Sequence, residues 1–263
     1  MNDLSHEEPK ALSVYTWFIV AIAGLVAPVI ALLLFGELMG PVPFISIGLM
    51  GAGLIGAAVA GRFWVGVLLS LGAAVVLTRF AGALGTPAPA HLTAWGLAVF
   101  VASVSFAIRG ALFARSAQDK GWWIALFVVA GEAAILITAA ARPGDLPLWL
   151  LALLPAQWTN LAIQASLTAG DLDAAMAPLI ALTGTAAATA LVARLWPRRW
   201  PYAIMFSTWI ALSALVYHAQ PSSTAANSDG LSALTGHARY PRLALAGPLG
   251  RPFDVTSLPI RFK

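Results

Sequence analysis

The sequence contains no cysteine and has few charged residues. Without thiols the chain cannot form disulfides, zinc–thiolate sites, thiolate-ligated iron–sulfur clusters or a cysteine nucleophile. Only 10% of its residues are Asp, Glu, Lys or Arg, whereas about 25% is typical of soluble domains. A surface facing water needs more charge than this, so the composition argues against a soluble protein.

Hydrophobic residues make up 60% of the chain, and the mean hydropathy is +0.84. A helix needs about 20 apolar residues to cross roughly 30 Å of hydrocarbon. Eight runs approach that length: 14–36, 42–60, 63–80, 91–109, 121–141, 146–167, 172–195 and 201–218. The sequence therefore predicts an all-α polytopic transmembrane helix bundle with about eight spans. Seven are possible, because 146–167 is the most polar run.

The sequence divides into a short polar N-terminus (1–13), a transmembrane helical domain (14–218) and a basic, proline-rich extramembrane tail (219–263). The tail carries five basic residues against Asp229 and Asp254. This charge suggests binding to an anionic lipid surface or a protein partner, and the alternative is a disordered terminus. The pI near 9.9 does not indicate nucleic-acid binding, because the basic residues flank hydrophobic segments.

Eight spans would put both termini on one side of the membrane. The basic residues close to the membrane would then divide equally between the two sides, so the positive-inside rule does not decide the orientation. We expect a plasma or inner membrane with both termini cytoplasmic. Most tryptophans fall near span ends, where indole rings favour the membrane interface. Trp158 and Trp209 fall deeper and are predicted to face other helices.

Small residues recur every four positions in two neighbouring spans. They are Gly48, Ala52, Gly56 and Ala60 in the second span, and Gly66, Ser70, Ala74 and Thr78 in the third. Such stripes let membrane helices approach closely. We predict that the two stripes face each other across the turn at Gly61-Arg62. The same stripes would also suit dimerisation or the docking of another subunit.

Glu132 is the most informative polar residue inside a span, since an intramembrane carboxyl group is costly without a partner. It lies eleven residues after Gly121, roughly 16 Å deep at 1.5 Å per residue. The sixth span carries three amides on one helical face, and Thr183 of the seventh span reaches a similar depth. The amides are Gln157, Asn160 and Gln164.

Arg109 lies near the end of the fourth span. Its guanidinium has two possible positions: at the membrane interface, which we expect, or towards Glu132.

The polar residues of spans five to eight have two interpretations. They line a pathway for a solute or proton, or they form a hydrogen-bonded core that fixes the helix register.

The residues that common membrane cofactors require are missing or misplaced. A retinal Schiff base needs a lysine inside a span, and all three lysines lie outside. His91 and His218 would lie on opposite faces, which excludes a bis-histidine haem between them. The sequence contains no helical HExxH zinc motif and no nucleotide-binding loop in a suitable context. Haem, retinal, zinc, iron–sulfur and nucleotide cofactors therefore have no support in the sequence.

Three functions remain open. The first is a small solute transporter, or a proton- or ion-coupled one, with a polar pathway in spans five to eight. The second is a non-catalytic subunit or scaffold of a larger membrane complex, which the small-residue stripes and the basic tail favour. The third, a membrane-embedded enzyme, has the least support. Homo-oligomerisation is compatible with the first two, and nucleic acid is not an expected partner.

Overall fold

A computed structural model describes residues 14–167 and 173–220, and all regular structure in these ranges is helical. The helices are α1 (Val14–Ala21), α2 (Ala27–Met39), α3 (Val42–Ala60), α4 (Phe63–Ala83), α5 (Leu92–Ala117), α6 (Gly121–Ala141), α7 (Leu148–Ala152), α8 (Pro155–Leu167), α9 (Asp173–Leu195) and α10 (Trp200–Ala219). The N-terminal segment 1–13 and the tail from residue 221 onwards lie outside the described residues.

Six helical segments are long and apolar enough to cross a membrane: Thr16–Met39, Val42–Ala60, Phe63–Ala83, Leu92–Ala141, Ala174–Leu195 and Trp200–Ala219. The fourth contains two predicted spans, because α5 and α6 follow each other with only a 3₁₀ turn at Gln118–Lys120 between them. Gln118 has a φ of +48°, and the chain reverses direction there. The all-helical architecture and its apolar segments fit a multi-pass membrane protein.

The first span is continuous but contains a π-helical turn at Ile22–Val26. Its cause is Pro28, which has no N–H to donate to the carbonyl of Gly24 and whose ring crowds that carbonyl. The turn brings Gly24 against α3, where an added Cβ would lie 2.8 Å from the Cα of Ala52. The wide turn thus accompanies a close contact between two helices.

α3 is the central helix of the bundle, and other helices bury almost every one of its residues. Its sequence explains this position, because glycine and alanine alternate with Leu, Ile and Met and no face is polar. The helices α4, α5, α6 and α8, together with the first span, pack around it. Small side chains let these neighbours approach closely.

The predicted sixth span, 146–167, is not one helix. It divides into α7 and α8, which are separated by Leu153 and Leu154. Pro155 begins α8, and a proline disfavours the helical conformation at the residue before it. Neither α7 nor α8 has the length of a membrane-spanning helix.

The α7–α8 hairpin (residues 148–167) turns back on itself. α6 returns along α5 after the reversal at Gln118, so the loop before α7 lies at the same end as the start of α5. At that end the His91 N–H donates to the Ser166 carbonyl oxygen, with an N–O distance of 3.2 Å. The other end of α8 meets the middle of α6, where the Ala156 N–H contacts Glu132. Both ends of the hairpin therefore lie at one end of the bundle, and its turn lies at mid-depth.

α9 runs parallel to α5. Arg109 donates to Thr185 and Arg115 donates to the Ala193 carbonyl oxygen, so contacts advance along both helices in the same direction. If the α7–α8 segment crossed the bundle, α9 would instead run antiparallel to α5. The parallel direction of α5 and α9 therefore agrees with a hairpin that turns back.

The bundle has two ends, which we name after a residue at each. The Arg62 end holds the turns at 61–62, 118–120 and 196–199, and the Arg142 end holds the loops at 84–91 and 142–147. Val20 packs near Gly56, close to the Arg62 end, where the first span therefore begins. α10 runs from the Arg62 end to the Arg142 end, so His218 and His91 lie at the same end and the prediction that they lie on opposite faces is wrong. Val14 and Ala219 thus lie at opposite ends, whereas eight crossings would bring them to the same one.

Candidate functional site

A cavity of about 380 Å³ lies between α5, α6, α9 and α10, beside the turn of the α7–α8 hairpin. α10 packs along α9, and α6 packs along α3 and α5, so α6 and α10 form the two sides of a cleft. The described lining residues are apolar apart from Arg109, Glu132, Thr185 and Thr189. The apolar lining residues are Leu54, Leu112, Phe113, Val128, Pro155, Met205, Phe206 and Trp209.

Glu132 lines this cavity from α6 and is joined to the hairpin by a hydrogen bond. The Ala156 N–H donates to Glu132 Oε2, with an N–O distance of 3.0 Å. The first N–H groups of a helix have no partner within it, and the helix dipole favours a negative charge there. The carboxylate therefore caps α8 from a different helix and fixes the position of the hairpin turn.

Arg109 projects into the cavity from α5. Its Nη2 donates to Thr185 Oγ1 across a distance of 2.8 Å, and its guanidinium carbon lies 5.8 Å from the centre of the Phe106 ring. Thr185 Oγ1 in turn donates to the Ala181 carbonyl oxygen at 2.8 Å. The threonine hydroxyl thus orients the guanidinium as an acceptor while its own proton is donated to the backbone.

Arg109 and Glu132 line the same cavity, although their hydrogen bonds go to different partners. We expected Arg109 at the membrane interface, with contact to Glu132 as the alternative. The described side chain points into the bundle, towards Thr185 and the side of the cavity that holds Glu132. The site therefore combines one positive and one negative group inside a mainly apolar lining.

Two tryptophans donate hydrogen bonds to backbone carbonyl groups that the break before α8 leaves without helical partners. The carbonyl groups at the end of α7 have no partner within that helix. Trp158 Nε1 donates to the Ala152 carbonyl oxygen at 2.8 Å, and Trp209 Nε1 donates to the Leu153 carbonyl oxygen at 3.1 Å. Both rings face other parts of the bundle, and Trp158 is completely buried. The prediction for these two tryptophans is confirmed.

The three predicted amides share one face of α8, but that face does not line the cavity. Asn160 Nδ2 donates to Gln157 Oε1 at 3.4 Å, and Gln164 is exposed on the outer side of α8. Thr183 is also exposed and lies outside the lining. The reason is that α8 buries its other face, which carries Trp158 and the small residues, against its neighbours.

Sequence reasoning missed Thr185, Thr189 and the start of α8. Thr185 and Thr189 are four residues apart, so both lie on one face of α9, and that face packs on α5. This spacing was a usable signal. The position of the Ala156 N–H was not readable, because it depends on the hairpin turning back towards Glu132.

The small-residue stripes lie between helices. A Cβ added to Gly66 would lie 2.5 Å from the Gly53 carbonyl oxygen. Ser70 Oγ donates to the Leu49 carbonyl oxygen at 2.8 Å. Ala74 is buried in the same helix.

The other stripe has different neighbours. Gly48 lies against Gly24 and Leu77, Ala52 lies against Gly24, and Gly56 faces Leu69. α3 thus uses the Gly48–Ala52 face for the first span and its Gly53 face for α4.

A larger cavity of about 690 Å³ lies beside the α4–α5 loop, and Arg79 is the charged side chain in its lining. The described residues of that lining include no acidic side chain, so the smaller cavity is the stronger candidate site. Among the described residues, no group of three or more His, Asp or Glu side chains could hold a metal ion. Comparison with known proteins gave no match to a family model, a curated protein or a solved structure.

Proposed function

We propose that this protein is a small solute transporter and that the cavity around Arg109 and Glu132 is its substrate site. The observation that carries the proposal is a pair of opposite charges at the tip of a helical hairpin that ends at mid-depth. Interrupted helices whose ends meet near the bilayer midplane form the binding sites of many transporters. Charged residues inside a membrane commonly mark solute or ion pathways.

The alternative interpretation is a polar core that only fixes the register of the helices. A structural pair would be expected to fill its own space, since protein interiors are closely packed. Here the two charged side chains border about 380 Å³ of open volume. That volume is within the range of about 300–1,000 Å³ that small-molecule sites occupy.

We further propose seven membrane crossings and one re-entrant hairpin, in place of eight crossings. The six long apolar segments become seven crossings when α5 and α6 are counted separately. This topology moves the α9–α10 turn to the Arg62 end. Among the described residues, that end then has six Lys or Arg side chains, whereas the Arg142 end has Arg79 and Arg142. The six are Arg62, Arg115, Lys120, Arg194, Arg198 and Arg199.

By the positive-inside rule, the Arg62 end is cytoplasmic. α1 then begins at the cytoplasmic end and α10 ends on the opposite side, in place of the expected arrangement with both termini on the cytoplasmic side. Because the wild-type chain contains no cysteine, it does not react with maleimide, and single-cysteine variants can be made directly in it. On intact cells, a membrane-impermeant maleimide should label Asp145→Cys and leave Arg62→Cys unlabelled. The reverse pattern would contradict the proposed orientation.

The lining residues support a cavity that reaches from Glu132 towards the proposed cytoplasmic end, with the hairpin turn on its other side. Phe113, Thr189 and Met205 extend the lining from Glu132 towards the Arg62 end. On the other side Pro155 and Trp209 border it, and Trp209 is hydrogen-bonded to Leu153 of the hairpin turn. Release of a solute to the opposite side therefore requires this part of the hairpin to move relative to α10.

Adjacent residues of α10 provide the test. Met205 lines the cavity, whereas Ile204 points away from it and is 41% exposed on the outer surface. In sealed proteoliposomes, a charged thiosulfonate reagent should modify Met205→Cys from either side of the membrane and Ile204→Cys from neither. Modification of Met205→Cys from one side alone would indicate a closed binding pocket and would contradict transport. Equal reactivity of the two variants would contradict a water-filled pathway.

The subunit alternative loses part of its support. Gly48, Ala52 and Gly56 are buried between helices of this chain, so this stripe is not available to another protein. Purification in native nanodiscs, followed by mass spectrometry, tests the alternative directly. Recovery of another protein in fixed stoichiometry would favour the subunit function over an independent transporter.

A further inference from the structure

We infer that the cavity binds a zwitterion that carries an apolar group. This inference rests on the proposed substrate site and adds the chemical class of its ligand. Two sources share that chemistry: a free amino acid with an apolar side chain, and a zwitterionic phospholipid that enters from the bilayer through the cleft between α6 and α10. The argument depends on charge balance, hydrogen-bonding capacity and the nature of the cavity walls.

The first step is charge balance. With Arg109 protonated and Glu132 ionised, the site holds one positive and one negative charge, and the described residues of its lining include no other ionisable side chain. In an environment of low dielectric constant, an uncompensated charge is expensive. A ligand with a single charge would leave the occupied site charged. A zwitterion brings two opposite charges and keeps the site neutral.

The second step is hydrogen-bonding capacity. A guanidinium has five N–H groups and a carboxylate has two oxygens. Among the described residues, Thr185 accepts from Nη2 of Arg109, and Ala156 donates to Oε2 of Glu132. Further N–H groups of Arg109 are available for the anionic part of a ligand, and Glu132 Oε1 is available for its ammonium group. Because the two charged side chains hydrogen-bond to different partners, a ligand can insert its own charges between them.

The third step is the apolar wall. Leu112, Phe113, Val128, Met205 and Phe206 line the same cavity as the charged pair. Apolar surface removed from water contributes favourably in proportion to its area. A small zwitterion without an apolar group would leave this wall unpaired. The walls therefore select a ligand with an aliphatic or aromatic part.

The test is a ligand series on the complete wild-type chain in nanodiscs of phosphatidylglycerol, which contain no zwitterionic lipid. Isothermal titration calorimetry compares leucine with 4-methylpentanoate, which lacks the ammonium group, and isoamylamine, which lacks the carboxylate. A second series compares dihexanoyl phosphatidylethanolamine with dihexanoyl phosphatidylglycerol. At least one zwitterion should bind tenfold more tightly than its singly charged analogues, and which one does so identifies the source.

The inference is overturned if a singly charged analogue binds as tightly as its zwitterion, or if neither zwitterion binds. The series needs no variant, so loss of folding in a mutant cannot obscure the result. It is also independent of flux. Tight zwitterion binding with one-sided Met205→Cys reactivity would reject transport alone, and two-sided reactivity without zwitterion preference would reject this inference alone.

Two neutralising variants sharpen the result. Glu132→Gln leaves Arg109 as the single charge, so the preference should change from the zwitterion to the anionic analogue. Arg109→Gln should change it to the amine. Glu37→Gln, at an exposed position outside the cavity, should leave the order of affinities unchanged. A uniform loss of affinity for all ligands in both neutralising variants would contradict direct charge recognition.

Discussion

α3 and the α7–α8 hairpin both pack among other helices, but their backbones are satisfied in different ways. α3 is an unbroken helix whose backbone needs no partner except at its ends, and small residues form its contacts. The hairpin has two helix ends at mid-depth. Trp158, Trp209 and Glu132 supply hydrogen bonds to them. Unsatisfied backbone groups are not tolerated in hydrocarbon.

The difference has a functional consequence. α3 is buried on all sides, and the buried Ser46 hydroxyl is its one polar side-chain group, so the helix presents no charge to a solute. A break in a helix requires polar side chains at mid-depth, and the same side chains can then border a cavity. The region with the less regular backbone is therefore the one that holds the candidate site.

The strongest test of this comparison asks whether 146–167 crosses the membrane as α3 does. If the hairpin re-enters, Arg198→Cys lies on the same side as Arg62→Cys and opposite to Asp145→Cys. We expect complete agreement between Arg198→Cys and Arg62→Cys when an impermeant maleimide is applied to intact cells and to inverted vesicles. All three residues are exposed. Labelling of Arg198→Cys together with Asp145→Cys would restore eight crossings.

The packing around α3 predicts the largest loss of stability. A Cβ on Gly66 would lie 2.5 Å from the Gly53 carbonyl oxygen and 2.6 Å from the Ala57 Cβ. Gly66→Val should lower the free energy of unfolding by about 3 kcal/mol, the upper range for overpacking. Gly72→Val is the matched control, because a Cβ there meets nothing within 4 Å. Denaturant unfolding in mixed micelles measures both, and equal values would contradict the close α3–α4 contact.

The hairpin should depend on its indole hydrogen bond. Trp158→Phe removes the donor to the Ala152 carbonyl oxygen and leaves that buried group without a partner. The expected loss is roughly 2 kcal/mol in unfolding free energy. Trp149→Phe, at a position that is 60% exposed, should change it by less than about 0.5 kcal/mol. A loss for Trp158→Phe as small as that of its control would show that the hairpin does not need this bond.

The smallest expected effect is that of Pro155→Ala. Proline is favourable at the first position of a helix, where its missing N–H has no helical partner. Alanine should change the unfolding free energy by less than about 1 kcal/mol, while the maleimide pattern of Arg198→Cys stays the same. Conversion of Arg198→Cys to the opposite labelling in this background would mean that the proline alone divides α7 from α8.

Much of the candidate site was readable from single residues. Glu132 and Arg109 stand out because charge inside an apolar run is rare and costly. The amides Gln157, Asn160 and Gln164 stood out for the same reason, but their face of α8 does not line the cavity. A polar stripe on one helix specifies which residues share a face, and the neighbouring helices decide what that face meets.

The sequence by itself indicated that the protein is suited to a lipid bilayer and that its structure is helical. Scarce charge, long apolar runs and spaced small residues require an all-helical bundle that is compatible with a bilayer. Tertiary structure alone decided that α8 turns back towards α6, because the direction of a short helix after a proline depends on which partners satisfy its ends. That one reversal sets the direction of α9, the division of basic residues between the two ends and the cavity between Arg109 and Glu132.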